Sequence, residues 1–160
     1  MTSEKKELLD AEMKILLKAK CTKIGRSCNL VWLHFMVGDS VFILDTQSAF
    51  RFSKNNEILC ANLDMYEPKK IYQEDSDFDY EKFNWDVQGE NFFDDWINSE
   101  GKKIKNSNVE QVSLSDYGDL TVHFDNGIKF EIFNNSLSEC WRFFGKETAL
   151  HTVVSGNAVD

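Results

Sequence analysis

The residues most capable of acid–base chemistry in this chain are three histidines: His34, His123 and His151. His34 lies between Leu33 and Phe35 and His123 between Val122 and Phe124, so each interrupts an apolar run typical of a strand. Alternation along a strand places each histidine on the face opposite its apolar neighbours, and we expect an ordinary polar-face position. A small-ligand-binding protein or an enzyme using His34, His123 and carboxylates stays open as the alternative. The nucleophile motif Gly-x-Ser-x-Gly is absent, and we expect no enzyme.

The cysteines and the most closely spaced carboxylates do not have the spacing of metal ligands. Cys21, Cys28, Cys60 and Cys140 are separated by at least six residues, without histidines at zinc-finger spacing. We therefore expect reduced thiols and a cytoplasmic protein. Asp75, Asp77 and Asp79 have the opening rhythm of a calcium loop, but Tyr80 stands where the loop needs glycine and Asp86 where it needs glutamate. The sequence predicts neither a metal site nor a cofactor.

The net charge of −9 lies in one stretch, residues 64–100, which holds twelve acidic and three basic residues. The other 123 residues are neutral overall. Aromatic residues are interleaved with these acids, which is not typical of a purely solvating tail: Tyr66, Tyr72, Phe78, Tyr80, Phe83, Trp85, Phe92, Phe93 and Trp96. Charge and rings together favour a basic protein partner. Because binding to nucleic acid depends on Lys and Arg, the acidity argues against that class.

Within this stretch we predict that the partner meets Asp75, Asp77, Asp79 and Glu81, whose close spacing makes them hard to satisfy internally. Phe78 and Tyr80 are the adjacent candidate anchors. Five more acids complete the predicted surface: Asp64, Glu67, Asp86, Asp94 and Asp95. Trp85, Phe92, Phe93 and Trp96 are expected instead to fill the core.

For the elements that must position these residues, we predict one α+β domain over 1–160. Its antiparallel sheet is built from two hairpin-containing halves. Ser3 and a stripe of leucines predict a helix over 3–20. A first β region spans 21–63, and a connection over 64–104 contains a second short helix within 92–104. A second β region spans 105–160, with a type I′ hairpin turn favoured at Asn126-Gly127. No apolar run approaches the length of a membrane span, and the charged N-terminus is unlike a signal peptide.

The two β regions share a pattern that predicts an internal pseudo-repeat. His34 and His123 each precede a glycine by four residues, and an Arg-Phe pair follows at Arg51 and Arg142. The glycine-to-arginine spacing is 13 in the first region and 15 in the second. We therefore predict that both histidines occupy equivalent strand positions, although any two hairpins produce a partial likeness of this kind.

Several short motifs carry a resemblance over most of the chain from about Ile24 onward. They are Ile58-Leu59, Asp64-x-Tyr66-x-Pro68, Phe83-Asn84-Trp85-Asp86 with Gly89, Asn91-Phe92-Phe93-Asp94, Glu131-Ile132-Phe133, Trp141-Arg142-Phe143-Phe144 and His151-x-Val153-Val154-x-Gly156. In these motifs the chain resembles a bacterial family of small proteins found among the immunity proteins of polymorphic toxins, including contact-dependent growth inhibition systems. The resemblance implies an immunity protein whose partner is a cognate toxin domain, such as a basic nuclease. The alternative of a general protein-interaction module stays open.

Overall fold

The computed structural model describes residues 1–159. The described chain contains three α-helices: α1 (Ser3–Met13), α2 (Lys70–Gln73) and α3 (Phe92–Asn98). Eleven strands accompany them: β1 (Lys20–Ser27), β2 (Leu30–Val37), β3 (Ser40–Thr46), β4 (Phe50–Lys54), β5 (Glu57–Ala61), β6 (Val109–Leu114), β7 (Leu120–Phe124), β8 (Lys129–Ile132), β9 (Glu139–Gly145), β10 (His151–Ser155) and β11 (Ala158–Val159). Short 3-10 helices span Lys14–Leu16, Asn62–Tyr66, Tyr80–Lys82 and Glu100–Ile104. The predicted α+β class is confirmed.

The first helix is shorter than the sequence predicts. Thr2, rather than Ser3, caps it by accepting a hydrogen bond from the amide of Lys5. The helix ends at Met13, one 3-10 turn follows, and Lys18 has a positive φ of 66°. The prediction of a helix over 3–20 is therefore wrong at its end, because the chain reverses there to enter β1 at Lys20. The second predicted helix also ends early, at Asn98, and continues as the 3-10 helix Glu100–Ile104.

All strand pairs are antiparallel, and the strands form two sheets. The first sheet has the order β1-β2-β3-β9-β10-β11 and the second has the order β5-β4-β8-β7-β6. Each half of the chain therefore gives a three-stranded meander to one sheet and a hairpin to the other, and in the second half the short β11 extends that hairpin. Side chains alternate between buried and accessible along the strands, as in β2 and β9, so the inner faces of both sheets supply the core.

The strand register agrees with the predicted pseudo-repeat in the pairing of the strands, but the prediction of equivalent turns is wrong. Val37 pairs with Ser40 across a two-residue loop, whereas Phe124 and Ile128 close a three-residue loop. His34 pairs with Lys23 and Ile43, and His123 pairs with Gln111 and Lys129 at the same positions of the second meander. The arginines match as well. Arg51 pairs with Glu131, and Arg142 pairs with Asp45, each through an ion pair with a 2.8 Å contact.

Equivalent residues also meet each other where the two halves join. Both meanders carry a bulge at the same point of their first strand, after Cys21 in β1 and after Val109 in β6. Lys20 and Asn108, which precede these residues, form a bridge between the two sheets. Phe35 and Phe124 are equivalent and their rings stack 6.4 Å apart. These contacts describe a pseudo-two-fold arrangement around the centre of the core.

The hairpin at Asn126-Gly127 exists, but its turn differs from the type I′ prediction. Phe124 and Ile128 are joined by a backbone hydrogen bond across a three-residue loop, and the amide of Gly127 donates to Phe124. Gly127 has φ +81°, whereas Asn126 is not among the residues with positive φ. The loop therefore needs one left-handed residue rather than two. Within residues 1–159, none of the helices has the length and apolar character needed to cross a membrane.

Candidate functional site

The acidic stretch lies in the connection between the two repeated halves, after β5 and before β6. Its C-terminal part belongs to the core, because Phe93 packs edge-on against Phe50 and Trp96 packs at 4.8 Å against Phe52. Both residues are buried, as predicted, while Trp85 and Phe92 are half-buried. The part before α3, residues 67–90, is mostly exposed and carries most of the acids. This part therefore offers most of the accessible acids of the stretch to a partner.

A buried arginine on β1 anchors this exposed part. Arg26 donates from Nε and Nη2 to the two carboxylate oxygens of Asp94 at 2.8 and 2.7 Å. The same guanidinium donates to the carbonyl oxygens of Cys28 and Trp85 at 3.1 and 3.0 Å. Its side chain is 0% exposed and that of Asp94 is 2% exposed. Bidentate pairing fixes the geometry of both groups, so Arg26 holds the loop before α3 against the first sheet.

The prediction that Asp94 contacts a partner is therefore wrong, since its carboxylate is buried and paired with Arg26 inside the protein. It also accepts the amide N–H of Gly89 at 2.8 Å. Asp64 is half-buried and accepts the amide of Ala61 at 2.7 Å, which makes it a cap of the 3-10 helix Asn62–Tyr66. Asp86 lies 3.6 Å from Arg26 and remains half-exposed. Glu67 is exposed and Asp95 is half-buried.

The remaining predicted acids come together around one open pocket of about 540 Å³. Three rings form its apolar part: Tyr72 stacks on Phe78 at 4.7 Å, and Phe83 lies 6.3 Å from Phe78. Asp75, Asp77 and Asp79 line the same pocket, together with Lys82, Asn84, Val87 and Glu90. We call this the acidic–aromatic pocket. Tyr80 is 57% exposed and packs edge-on against Phe78 from outside, and Glu81 is exposed beside it.

The charges at this pocket are only partly neutralised. Asp79 pairs with Lys82 at 2.8 Å and also accepts the amide of Glu81. Asp75 accepts the amide of Asp77 at 3.0 Å. The expectation that these acids find no internal partner is thus too strong for Asp75 and Asp79. The lining, with four carboxylates and Lys82, nevertheless has a formal charge of −3, which Lys69 beside Glu90 reduces to −2.

One wall of the pocket already holds a cation against a ring. The ammonium group of Lys69 lies 4.4 Å from the ring centre of Tyr72 and 3.2 Å from Glu90. The hydroxyl group of Tyr72 donates a hydrogen bond of 2.7 Å to Glu90. This hydrogen bond and the one from Lys69 lower the pKa of the Glu90 carboxyl. This wall therefore combines a cation–π contact with a carboxylate, which is the chemistry that recognises Lys and Arg side chains.

The histidines do not form a common site. His34 lies on the outer face of the first sheet and His123 on the outer face of the second. Burial, followed by nearby Lys23 and Lys146, lowers the pKa of His34, and burial followed by Lys129 lowers that of His123. His151 shares the first sheet with His34, but β3 and β9 separate their strands. Across residues 1–159, the structure brings together no cluster of three metal-ligating His, Cys, Asp or Glu side chains.

The residues that sequence reasoning missed are Arg26, Tyr72, Phe83 and Glu90. The burial of Arg26 could have been predicted, because it lies two residues after Ile24 on the same face of the strand. A buried guanidinium must pair with an acidic side chain inside the protein. The other three belong to a segment without regular periodicity, so their meeting around one pocket left no local signal. Comparison of the chain with protein-family models, curated proteins and solved structures found no match in any of the three.

Proposed function

We propose that this protein is an immunity protein that binds and neutralises a cognate toxin, a cationic nuclease, through the acidic–aromatic pocket and the acids around it. The observation that carries the proposal is the pocket itself, which pairs stacked rings with a net charge of −2 when Lys69 is counted. It belongs to a segment outside the duplicated strands, so the repeated scaffold does not require it. The family resemblance of the sequence supports the choice of a toxin as the basic partner.

The mechanism is occlusion of the toxin's basic active-site surface. Exposed carboxylates such as Asp77 and Glu81 attract the basic partner over long distances and speed association. An Arg or Lys side chain of the toxin then packs into the open pocket against the accessible surfaces of Phe78 and Phe83, where the rings contribute cation–π attraction. Carboxylates at the rim take the place of the phosphates that the nuclease would bind. The toxin's catalytic surface is thereby covered without any reaction on this chain.

The test starts from the gene neighbourhood, because the proposal predicts a toxin gene beside the gene for this protein, and it uses the domain which that gene encodes. Cells producing that domain receive the parent protein or the variant Asp75→Asn/Asp77→Asn/Asp79→Asn/Glu81→Gln. A matched control neutralises four exposed acids outside the segment: Glu4→Gln, Asp39→Asn, Glu110→Gln and Glu147→Gln. Both variants change the net charge equally, so a difference between them reports the location of the acids rather than the total charge.

We expect the parent and the control to restore growth and the pocket variant to fail. Surface plasmon resonance should show the pocket variant associating with the toxin domain at least about ten times more slowly at low salt. The difference between pocket variant and control should shrink as salt shortens the Debye length below ~10 Å. Equal protection by the pocket variant, with an unchanged association rate, would place the interface elsewhere.

A further inference from the structure

A second pocket, of about 310 Å³, lies where α3 meets the turns at one end of the second sheet. The pairing of β4 with β8 brings the β4–β5 and β7–β8 turns to this same end. Apolar side chains from α3, β5 and the β7–β8 turn form most of its lining: Phe92, Trp96, Ile58, Leu59 and Ile128. Trp96 and Ile128 are buried, so the bottom of the pocket is continuous with the core.

The charged part of the lining consists of three lysines and one acid: Lys54, Lys70, Lys103 and Glu100. Lys103 forms an ion pair with Glu100, and Lys54 donates to the carbonyl oxygen of Asn126 at 2.7 Å. The ammonium group of Lys70 lies 5.6 Å from the ring centre of Phe92 and forms no ion pair with any acid in residues 1–159. The lining therefore has a formal charge of +2.

An acid beside the lining reduces this charge without removing it. Glu57 is the cross-strand partner of Lys54, although the two form no ion pair among the described residues. Counting Glu57 leaves a charge of +1. The pocket thus stays cationic even though Lys70, Phe92 and Trp96 belong to the stretch that carries the net charge of −9.

The equivalent turns of the first sheet enclose a pocket of different character. There the pairing of β3 with β9 brings the β2–β3 and β9–β10 turns together. The pocket between them is about 130 Å³ and is lined by Asp39, Ser40, Val41, Lys146, Glu147 and Thr148. This lining has no aromatic ring, and its two acids and one lysine give a formal charge of −1. The duplicated scaffold therefore does not dictate an apolar, cationic pocket at this place.

We propose that the pocket at α3 binds a medium-chain carboxylate. Its alkyl chain lies against Phe92, Trp96 and Ile128, and its carboxylate pairs with Lys70, which has no acidic partner within residues 1–159. Small-molecule sites combine a mainly apolar lining with a few placed polar groups in this way. At ~30 Å³ per non-hydrogen atom, the volume of a water molecule in the liquid, the pocket holds about ten such atoms. Octanoate, with eight carbons and two oxygens, has this size.

The test is a titration of the ¹⁵N-labelled protein with sodium octanoate up to about 5 mM, followed by two-dimensional ¹H–¹⁵N NMR. We expect saturable shifts of the indole N–H of Trp96 and of the amides of Phe92 and Ile128. The dissociation constant should lie between about 0.1 and 1 mM, within the range for a ligand of about ten non-hydrogen atoms. Octylammonium has the same chain and the opposite charge, so it should bind at these residues at least about fivefold more weakly.

The variant Lys70→Gln/Lys103→Gln brings the charge of the lining to zero and should weaken octanoate binding about three- to tenfold. The matched control Lys23→Gln/Lys146→Gln changes the net charge equally at two exposed lysines of the first sheet and should bind like the parent. A second variant, Ile58→Glu, adds a carboxylate to the lining. Its fold should be kept because Ile58 is 62% exposed, and its octanoate binding should be at least about threefold weaker.

The absence of saturable shifts at Trp96, Phe92 and Ile128 in the parent overturns the proposal. Equal binding of octanoate and octylammonium at these residues overturns it as well, because the lysines would then have no part in recognition. The same holds if the lysine variant and Ile58→Glu both bind octanoate as tightly as the control does. None of these measurements involves the toxin, so they are independent of the proposed function.

Discussion

Replacing Arg26 with methionine should cost this protein a large share of its stability, because it leaves a buried carboxylate without its cation. Asp94 would keep the amide of Gly89 as a donor but lose both guanidinium bonds, at 2.8 and 2.7 Å. The carbonyl oxygen of Trp85 would also lose a donor. Breaking one partner of a buried ion pair costs about 3–5 kcal/mol. Against a typical total of about 5–15 kcal/mol, this loss is a fifth or more of the free energy of unfolding, so Arg26→Met should unfold at clearly lower urea concentration than the parent.

The assay is equilibrium unfolding in urea followed by tryptophan fluorescence, with Arg51→Met as the matched control. Arg51 pairs with Glu131 in the same bidentate manner, but its side chain is 39% exposed. Exposed pairs contribute less than about 1 kcal/mol, so the control should stay close to the parent. The reasoning fails if Arg26→Met loses no more free energy of unfolding than Arg51→Met does. Such a result would mean that the segment before α3 is held by other contacts.

Three further predictions concern packing, thiol chemistry and pH. Gly25→Ala should lower the free energy of unfolding by about 1–3 kcal/mol and shift the tryptophan emission, because the new methyl meets Trp32 at 2.5 Å; an unchanged melting temperature would contradict this. A chromogenic disulfide reagent should titrate one thiol in the native protein and four after unfolding, since Cys28 is exposed while Cys21, Cys60 and Cys140 are buried. Burial also raises the pKa of Cys21 to about 12, which keeps that thiol protonated, and more than one fast-reacting native thiol would refute the prediction. Hydrogen bonding to Arg51 lowers the pKa of Glu131 below 4.5, so the ion pair stabilises the fold above that pH and stops doing so as pH falls through the lowered pKa. Between about pH 6 and pH 3, the parent should therefore lose more free energy of unfolding than Glu131→Gln, as measured by urea unfolding. Equal losses would argue against the pair.

The repeat was predictable because its signals are local. The spacing from His34 to Gly38 and from His123 to Gly127 located two hairpins, although their loops differ in length, and alternation identified most of the strands. The exchange of β4 and β9 between the two sheets was not predictable, since strand pairing over such distances is decided by the whole core. The end of the first helix was misplaced because the leucine stripe of α1 continues through Leu16 and Leu17, and only tertiary contacts end the helix at Met13.

The candidate site divides in the same way. Composition identified the acidic segment and its rings, and the quartet from Asp75 to Glu81 does lie at or beside the pocket. Composition could not separate Asp94 from its neighbours, because a carboxylate that pairs with a buried arginine looks the same in sequence as one that faces solvent. Only the placement of Arg26 on the inner face of β1 distinguishes them.

The most direct test of the central claim is hydrogen–deuterium exchange of this protein alone and in complex with its toxin domain, which the proposal expects to be encoded beside its gene. If the acidic–aromatic pocket is the binding site, the amides that gain protection should fall mainly within residues 72–90, around Tyr72, Phe78 and Phe83. Amides in the five strands of the second sheet (β4, β5, β6, β7 and β8) should exchange at the same rate in both states. Protection confined to either sheet, with residues 72–90 exchanging as fast as in the free protein, would contradict the account.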